Sequence, residues 1–371
     1  MLVDRDKALP IYHQMAEDLR RNITSGKLAG MLPAENQLSE SYKVGRNTTR
    51  NCLKKLESEG LIYRINGKGA FVSPGVDKKI RNLLVVVDRL GSGPYESLHS
   101  LIAGAAAACH DVGAQVQLIL ITQLEKSIEL VKYDDRFQSA ILFLFSHILT
   151  DDIVAVAEKS GMPFLISGVP EYQKYNYLDI DNRYAMRQVV DRLFELGHRR
   201  FGVAAWHDDP VGHFKQRIDA VNERLKELGV SIPPELKIMR GGKLLSDGQS
   251  SDDSFVEAFF RKGCQPPTAI VCVSDPLARL SLQYLRRHGF RVPQDISVTG
   301  FDDHESCRFL EPPLSAVHVD YFQMGKTAAE MLLEMLDDFS LRRCQKLCEC
   351  DLIVRESIGP APKHPVRSLN I

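Results

Sequence analysis

Apolar positions in the first fifth of the chain recur at helical spacing. Ile11, Met15, Leu19 and Ile23 fall every fourth residue with charged residues between them, which predicts an amphipathic helix over 11–23. Gly26 and Gly30 close it, and the stretch from Leu32 through Pro33 and Glu35 opens a second short helix reaching about Tyr42. A third helical pattern runs over 47–59 and stops at Gly60. On it Thr49, Leu53 and Leu56 share one face, while Arg46, Arg50 and Lys54 step four residues apart along another, so one side packs and the other presents cations. The period then changes to two. Residues 61–72 alternate apolar and polar about Asn66-Gly67, a pair suited to tight hairpin turns, with Lys68 just past it.

Residues 73–81 mix turn formers with charge and mark a boundary. Beyond them the pattern consists of short apolar runs at 83–87, 116–121, 140–145, 164–167, 201–206, 269–273 and 296–301, most of them separated by helical stretches. Uniformly apolar runs of this length read as strands covered on both faces, and their alternation with helices implies βαβ units in a parallel sheet. With short runs elsewhere the count reaches about ten strands, too many for one comfortable sheet, so two adjacent doubly wound α/β lobes are expected. Ligands of such folds bind at the C-terminal ends of the strands, here in the cleft between lobes.

Length and composition agree with several domains: 371 residues, 44% hydrophobic and 26% charged, is globular and neither disordered nor fibrous. The net charge of -1 argues against nucleic acid only until it is divided. Residues 1–81 hold 15 Lys and Arg against 9 Asp and Glu, a balance of +6, which leaves 32 against 39, or -7, for the remainder. A basic module is therefore attached to an acidic one. Charges among the first ten residues, and the lack of any run of about 18 uncharged apolar residues, lead to the expectation of a soluble, cytoplasmic protein without membrane association. The eight cysteines are scattered, unlike a disulfide framework, and are expected to be reduced.

A short helix, a tight turn and an amphipathic helix with Arg near its start is what a helix-turn-helix requires, because the major groove admits one helix and its first residues reach the bases. A hairpin with a cation at its tip can touch the backbone or minor groove alongside. The segments 11–16, 32–36, 44–50, 56–62 and 66–72, five motifs in order, closely resemble the GntR-family winged helix-turn-helix. That resemblance implies an α+β DNA-binding domain at 1–74, with DNA contacts from Arg46, Asn47, Thr48 and Arg50 on the recognition helix and from Asn66, Gly67 and Lys68 on the wing. Many members carry Arg where this chain has Asn36.

The remainder resembles a second family. Segments 178–182, 196–199, 296–303, 312–315, 323–325 and 352–357 are similar to the effector domain of LacI/GalR regulators, which is built like periplasmic sugar-binding proteins. The pairing of the two resembles arabinose-repressor-like regulators. It implies a repressor, dimeric on a palindromic operator, whose partners are double-stranded operator DNA and a small-molecule effector such as a monosaccharide or derivative. It also implies a linker at 75–81 and a sensor at 82–358, with one lobe from 82–179 and 320–343, the other from 180–319 and 344–358, and a tail at 359–371.

Within the cleft the expected ligand residues are Arg217, Asp302 and Tyr321, at positions where the family places a guanidinium, a carboxylate and an aromatic ring, together with Trp206, Ser146, Ser167 and Ser274. Arg can donate paired hydrogen bonds to vicinal hydroxyls, a carboxylate accepts from them, and an aromatic face covers apolar ring surface. Ser167 and Ser274 stand where Asp and Asn are common in the family, and Leu144-Phe145 where a polar residue often lies, which implies a smaller, less hydroxylated or differently oriented ligand.

Other signals are weaker. Cys344, Cys348 and Cys350 lack a fourth ligand at a zinc spacing, and Cys348 and Cys350 read as one face of the last strand. His207, Asp208 and Asp209 with His304 and Glu305 read as loop polarity. Gly91-Ser92-Gly93 lacks the third glycine of a nucleotide fingerprint. No metal, cofactor or catalytic set is expected. The rival reading is an α/β enzyme acting on a sugar or nucleotide, with the basic module as an accessory.

Overall fold

The computed structural model describes residues 10–24, 27–74, 79–87, 96–134, 136–144, 149–167, 174–206, 213–240, 254–261, 263–337 and 344–369. The N-terminal module has three helices, α1 (Ile11–Thr24), α2 (Glu35–Tyr42) and α3 (Arg46–Ser58), then a hairpin of β1 (Ile62–Ile65) and β2 (Gly69–Val72). The four-residue spacing explains the packing: Met15, Leu19 and Ile23 of α1 close on Leu38, Leu53 and Leu56 in one buried cluster. The Gln37 carboxamide accepts the Ala34 N–H at 3.0 Å ahead of α2, and Lys43 ends that helix in the left-handed region at φ 54°. The turn into α3 is thereby sharp.

Beyond the hairpin, the described residues form two six-stranded sheets. The first has the order β13-β7-β6-β5-β3-β4, built from β3 (Ile80–Val87), β4 (Gln115–Leu120), β5 (Phe137–Leu144), β6 (Phe164–Ser167), β7 (Tyr177–Ile180) and β13 (Gln345–Cys348), all parallel. The second has the order β14-β12-β11-β10-β8-β9, from β8 (Phe201–Trp206), β9 (Lys237–Arg240), β10 (Ala269–Cys272), β11 (Ser297–Asp302), β12 (Ser315–His318) and an antiparallel β14 (Leu352–Ile353). Leu83 to Val87 are at most 1% exposed, as a strand sandwiched between helices must be.

Helices α4 (Glu96–Asp111), α5 (Leu124–Tyr133), α6 (Asp151–Ser160) and α10 (Tyr321–Asp337) accompany the first sheet, and α7 (Asn182–Glu195), α8 (His213–Glu227) and α9 (Asp275–Arg287) the second. The backbones of α4 and α10 touch: a Cβ on Gly104 would lie 1.9 Å from the Phe322 carbonyl oxygen, and one on Gly325 would lie 2.0 Å from that of Leu101. Only glycine permits this approach.

The chain passes between the lobes three times, from β7 to α7, from β12 to α10 and from β13 to β14. The third passage differs from the sequence expectation, which placed 344–358 in the distal lobe. β13 instead pairs with β7 in the first sheet, Cys348 opposite Ile180, so the crossing falls after Cys348. The register explains the difference, since a four-residue strand completes the open edge of β7 before the chain leaves. Cys348 and Cys350 consequently do not share a strand; Cys350 is buried in the crossing itself.

The crossings are tied together. The Asp181 N–H donates to the Cys348 carbonyl at 2.9 Å, and the His318 N–H to that of Asp351 at 2.8 Å. The Gln188 side chain donates to the Cys350 carbonyl at 2.7 Å. Residues 359–369, expected as a tail, lie against the second lobe. Gly359 accepts from His198 at 3.0 Å, Ala361 N–H donates to Leu196 at 2.8 Å, and Arg367 donates to His288 at 2.6 Å. Among the described residues no helix is long and apolar enough to cross a membrane, and no group of three or more His, Cys, Asp or Glu could hold a metal ion.

Candidate functional site

On the reading head, the Gly45 cap exposes the first turn of α3. Arg46, Asn47 and Arg50 are exposed and Thr48 is half-buried, whereas Thr49 is fully buried, its hydroxyl 2.9 Å from that of Ser39. That bond fixes α3 on α2. Arg50 Nε donates to the Glu35 carboxylate at 3.0 Å, which holds the guanidinium at the exposed surface. At the wing tip, Lys68 N–H donates to the Ile65 carbonyl at 3.0 Å with Gly67 at φ 76° and Asn66 at negative φ, a type II arrangement with a three-residue connection in place of the two-residue turn expected from Asn66-Gly67. Lys68 thus sits within the tip. The expected DNA residues occupy two exposed elements of one small domain, the helix start and the hairpin tip.

In the sensor, three of the expected ligand residues meet. Arg217 of α8 is buried, stacked on the Phe301 ring at 3.4 Å from its centroid, and its Nε and Nη1 donate to Asn182 Oδ1 at 2.8 Å and the Val273 carbonyl at 2.6 Å. Its Nη2 stands 3.9 Å from Asp302 Oδ1, and the Tyr321 hydroxyl donates to that same oxygen at 2.7 Å. Burial and the adjacent carboxylate push the Tyr321 phenol well above its ordinary pKa, so it remains a donor. Asp302 and Asp303 sit at φ 105° and 54°, a left-handed excursion that turns the end of β11 toward the cleft at a cost of ~1–3 kcal/mol per residue. Arg355 meets the Asp303 carboxylate through both Nη atoms and takes it out of the ligand set.

A cavity of about 540 Å³ opens beside this group, lined by Asp302, His304 and Arg308 of the second lobe and by Tyr321 of α10 with Ser97 and His99 of α4 from the first. Behind His304 lies Asp275, whose Oδ2 accepts the His304 backbone N–H at 2.9 Å and lies 3.2 Å from its Nδ1. Burial, reinforced by Asp302, raises the Asp275 carboxyl's pKa.

The other expected ligand residues are dispersed. Ser167 ends β6 in the first lobe and is buried. Ser274 is buried at the start of α9, one residue beyond the carbonyl that Arg217 holds. Trp206 ends β8, but its side chain, like all of Ser146, His207, Asp208, Asp209 and Gly91 to Gly93, lies outside the described residues. Sequence reasoning missed Asn182, Phe301 and Asp275 as supports of the site. Asn182 and Phe301 carried a signal, within the 178–182 and 296–303 motifs; Asp275 depends on which strand ends adjoin.

Both parts of the chain match known proteins. The sequence profile of bacterial regulatory proteins of the gntR family matches residues 11–72, and that of the periplasmic binding protein-like domain matches 190–358. The chain thus carries a gntR-type domain followed by a periplasmic-binding-protein-like domain. The regulator is 26% identical over 370 residues to the arabinose metabolism transcriptional repressor of Geobacillus stearothermophilus, covering 95% of this chain and 99% of the relative. It is 30% identical over 184 residues to the repressor CytR of Escherichia coli (strain K12), 49% of this chain and 52% of that protein. Among solved structures, the regulator CelR in complex with cellobiose superposes with a TM-score of 0.62 at 21% identity, over 88% of this chain and 100% of that one. The lac repressor dimer bound to operator and the anti-inducer ONPF superposes with a TM-score of 0.61 at 19% identity, over 77% and 96%.

Proposed function

We propose that this protein is a cytoplasmic, dimeric repressor whose operator affinity is set by a sugar bound in the cleft between the sensor lobes. It binds its effector without converting it. The observation that carries this reading is the cluster of Arg217 and Asp302 from the second lobe with Tyr321 of α10 from the first, beside a cavity that both lobes line. A ligand that touches both walls binds the closed and open arrangements with different affinity, and only such a difference can shift the equilibrium between them. Its hydroxyls would use Asp302 as acceptor and the remaining N–H groups of Arg217 as donors, with the Tyr321 ring against an apolar face.

On the DNA side we assign base and phosphate contacts to Arg46, Asn47, Thr48 and Arg50, and wing contacts to Asn66, Gly67 and Lys68. We divide the chain into a reader at 1–74, a linker at 75–81 and a sensor from 82 onward. The full chain is tested by fluorescence anisotropy on DNA fragments from upstream of its own gene and neighbouring genes, with and without pentoses, hexoses and disaccharides at millimolar concentration. Sequence-specific binding that one sugar changes at least tenfold is expected. Specific binding that no sugar alters refutes the effector assignment, and turnover of any sugar refutes the binding-only reading.

A further inference from the structure

Two successive non-glycine residues at the end of β11 have a left-handed backbone, Asp302 at φ 105° and Asp303 at φ 54°, and the first of them carries the carboxylate of the ligand cluster. Such a pair persists only where its surroundings over-determine it. Asp302 takes part in the sheet through its main chain: it lies opposite His318 of β12, and its carbonyl accepts the Val319 N–H at 3.3 Å. Its carboxylate is turned to the cleft, 2.7 Å from the Tyr321 hydroxyl and 3.9 Å from Arg217. The side-chain hold on the turn therefore falls to Asp303.

The Asp303 side chain is enclosed, with 2% of it exposed, and two groups grip it. Arg355 Nη1 donates to its Oδ1 at 2.5 Å and Nη2 to its Oδ2 at 3.0 Å, a paired geometry that fixes direction as well as distance. His318 Nδ1 stands 3.2 Å from Oδ2. Arg355 is anchored in turn, since Nη1 also donates to the Leu314 carbonyl at 2.6 Å and its main-chain N–H to Ser315 Oγ at 2.8 Å. His318 is the last residue of β12, where the second crossing begins, and its N–H donates to the Asp351 carbonyl at 2.8 Å. Arg355 follows β14, to which the third crossing leads. Both crossings are thereby tied to the residue beside the ligand carboxylate.

We propose that Asp303, clamped by Arg355 and His318, is a positioning residue of the effector site: it holds the left-handed turn that aims Asp302, so that the acceptor carboxylate stands in the cleft only while the second and third crossings are in place. This inference rests on the effector reading above. Released from the clamp, the end of β11 sheds its strain by relaxing toward extended backbone, in which successive side chains leave on opposite faces of the sheet. The Asp302 carboxylate then moves away from Arg217 and Tyr321. The same linkage works in the other direction. An effector that binds Asp302 bears through Asp303 on the segments joining the lobes, the elements that absorb the change when a cleft closes.

The test uses the full chain, wild type beside Asp303→Gly, Asp303→Asn and Arg355→Lys, each shown to be folded by circular dichroism. Gly keeps the freedom to take positive φ and removes the clamp, whereas Asn tolerates the left-handed region and leaves Arg355 one acceptor. The probes are arabinose, cellobiose and neutral hexoses, read by titration. A sugar that binds the wild type should bind Asp303→Gly about tenfold more weakly or worse, with Asp303→Asn and Arg355→Lys between the two. Affinity equal to wild type in every folded variant overturns the positioning, because a residue that only stabilised the fold would leave folded protein binding normally. If no sugar binds the wild type, the effector reading fails, and the clamp is then judged without ligand by adding Tyr321→Phe to each background. That change should lower the melting temperature of the wild type clearly and that of the clamp variants much less, since Asp302 no longer meets the hydroxyl. An equal drop in all backgrounds shows that Asp302 keeps its place unaided and refutes the proposal.

Discussion

Replacing Asp179 by Asn should stabilise the unliganded protein, and the gain should depend on pH in a defined direction. The folded-state carboxyl titrates at about 6 because it is buried, against ~3.9 in an unfolded chain. Between these values the native state holds more protons than the unfolded state, so stability falls as pH rises through the window and the full penalty is present above pH 6. A separation of about two units at ~1.36 kcal/mol each gives about 3 kcal/mol. Asn keeps the carbonyl that accepts from Ile180 and carries no charge to bury. Wild type and variant should therefore unfold alike at pH 4, with the variant about 2 to 3 kcal/mol more stable at pH 7.5. Urea unfolding followed by Trp206, the single tryptophan, reads this as a midpoint shift of nearly 1 M at an m-value of ~3 kcal/mol/M. A variant destabilised at pH 7.5, or offset equally at both pH values, would show that Asp179 is compensated in the fold and that the reasoning is wrong.

Other outcomes follow from the same coordinates. Arg50→Ala should abolish preference for the operator, whereas Lys68→Ala should weaken all DNA binding and lower the log–log salt slope by ~1; anisotropy from 50 to 200 mM salt distinguishes them. Glu35→Gln removes the carboxylate that holds Arg50, and the on-rate for operator should rise a few-fold at low salt in stopped-flow measurements. Gly104→Ala places a methyl 1.9 Å from the Phe322 carbonyl oxygen and should cost about 3 kcal/mol or more, seen as a large drop in melting temperature. Tyr321→Phe removes the buried hydrogen bond to Asp302 Oδ1 and should cost about 1 to 3 kcal/mol by calorimetry.

Much of the architecture was legible along the chain because local physics wrote it there. The four-residue rhythm of Met15, Leu19 and Ile23 records a buried helix face, and the uniformly apolar 83–87 run records a strand covered on both sides. Strand β9 is not legible and β13 merges with the last strand, because both are short, lie at sheet edges and keep polar residues, as in Gln345-Lys346-Leu347-Cys348. With β13 read as part of the last strand, the expected third crossing falls several residues too early.

The sequence by itself determined the order of modules, the helix start and hairpin that carry the cations, and the presence of Arg217, Asp302 and Tyr321 as residues of suitable chemistry. Each of these depends on neighbours within a turn or two, or on a motif read in order. What the tertiary structure decided was which of them meet. Tyr321 lies 19 positions from Asp302, and Arg217 lies 35 from Asn182. Sequence spacing carries no information about contacts that parallel sheets create by bringing remote strand ends side by side. The environment of Asp179 belongs to the same class. Nothing about an Asp in Leu-Asp-Ile-Asp-Asn shows that it will be buried at a crossing, because burial belongs to the packed molecule rather than to any segment of it.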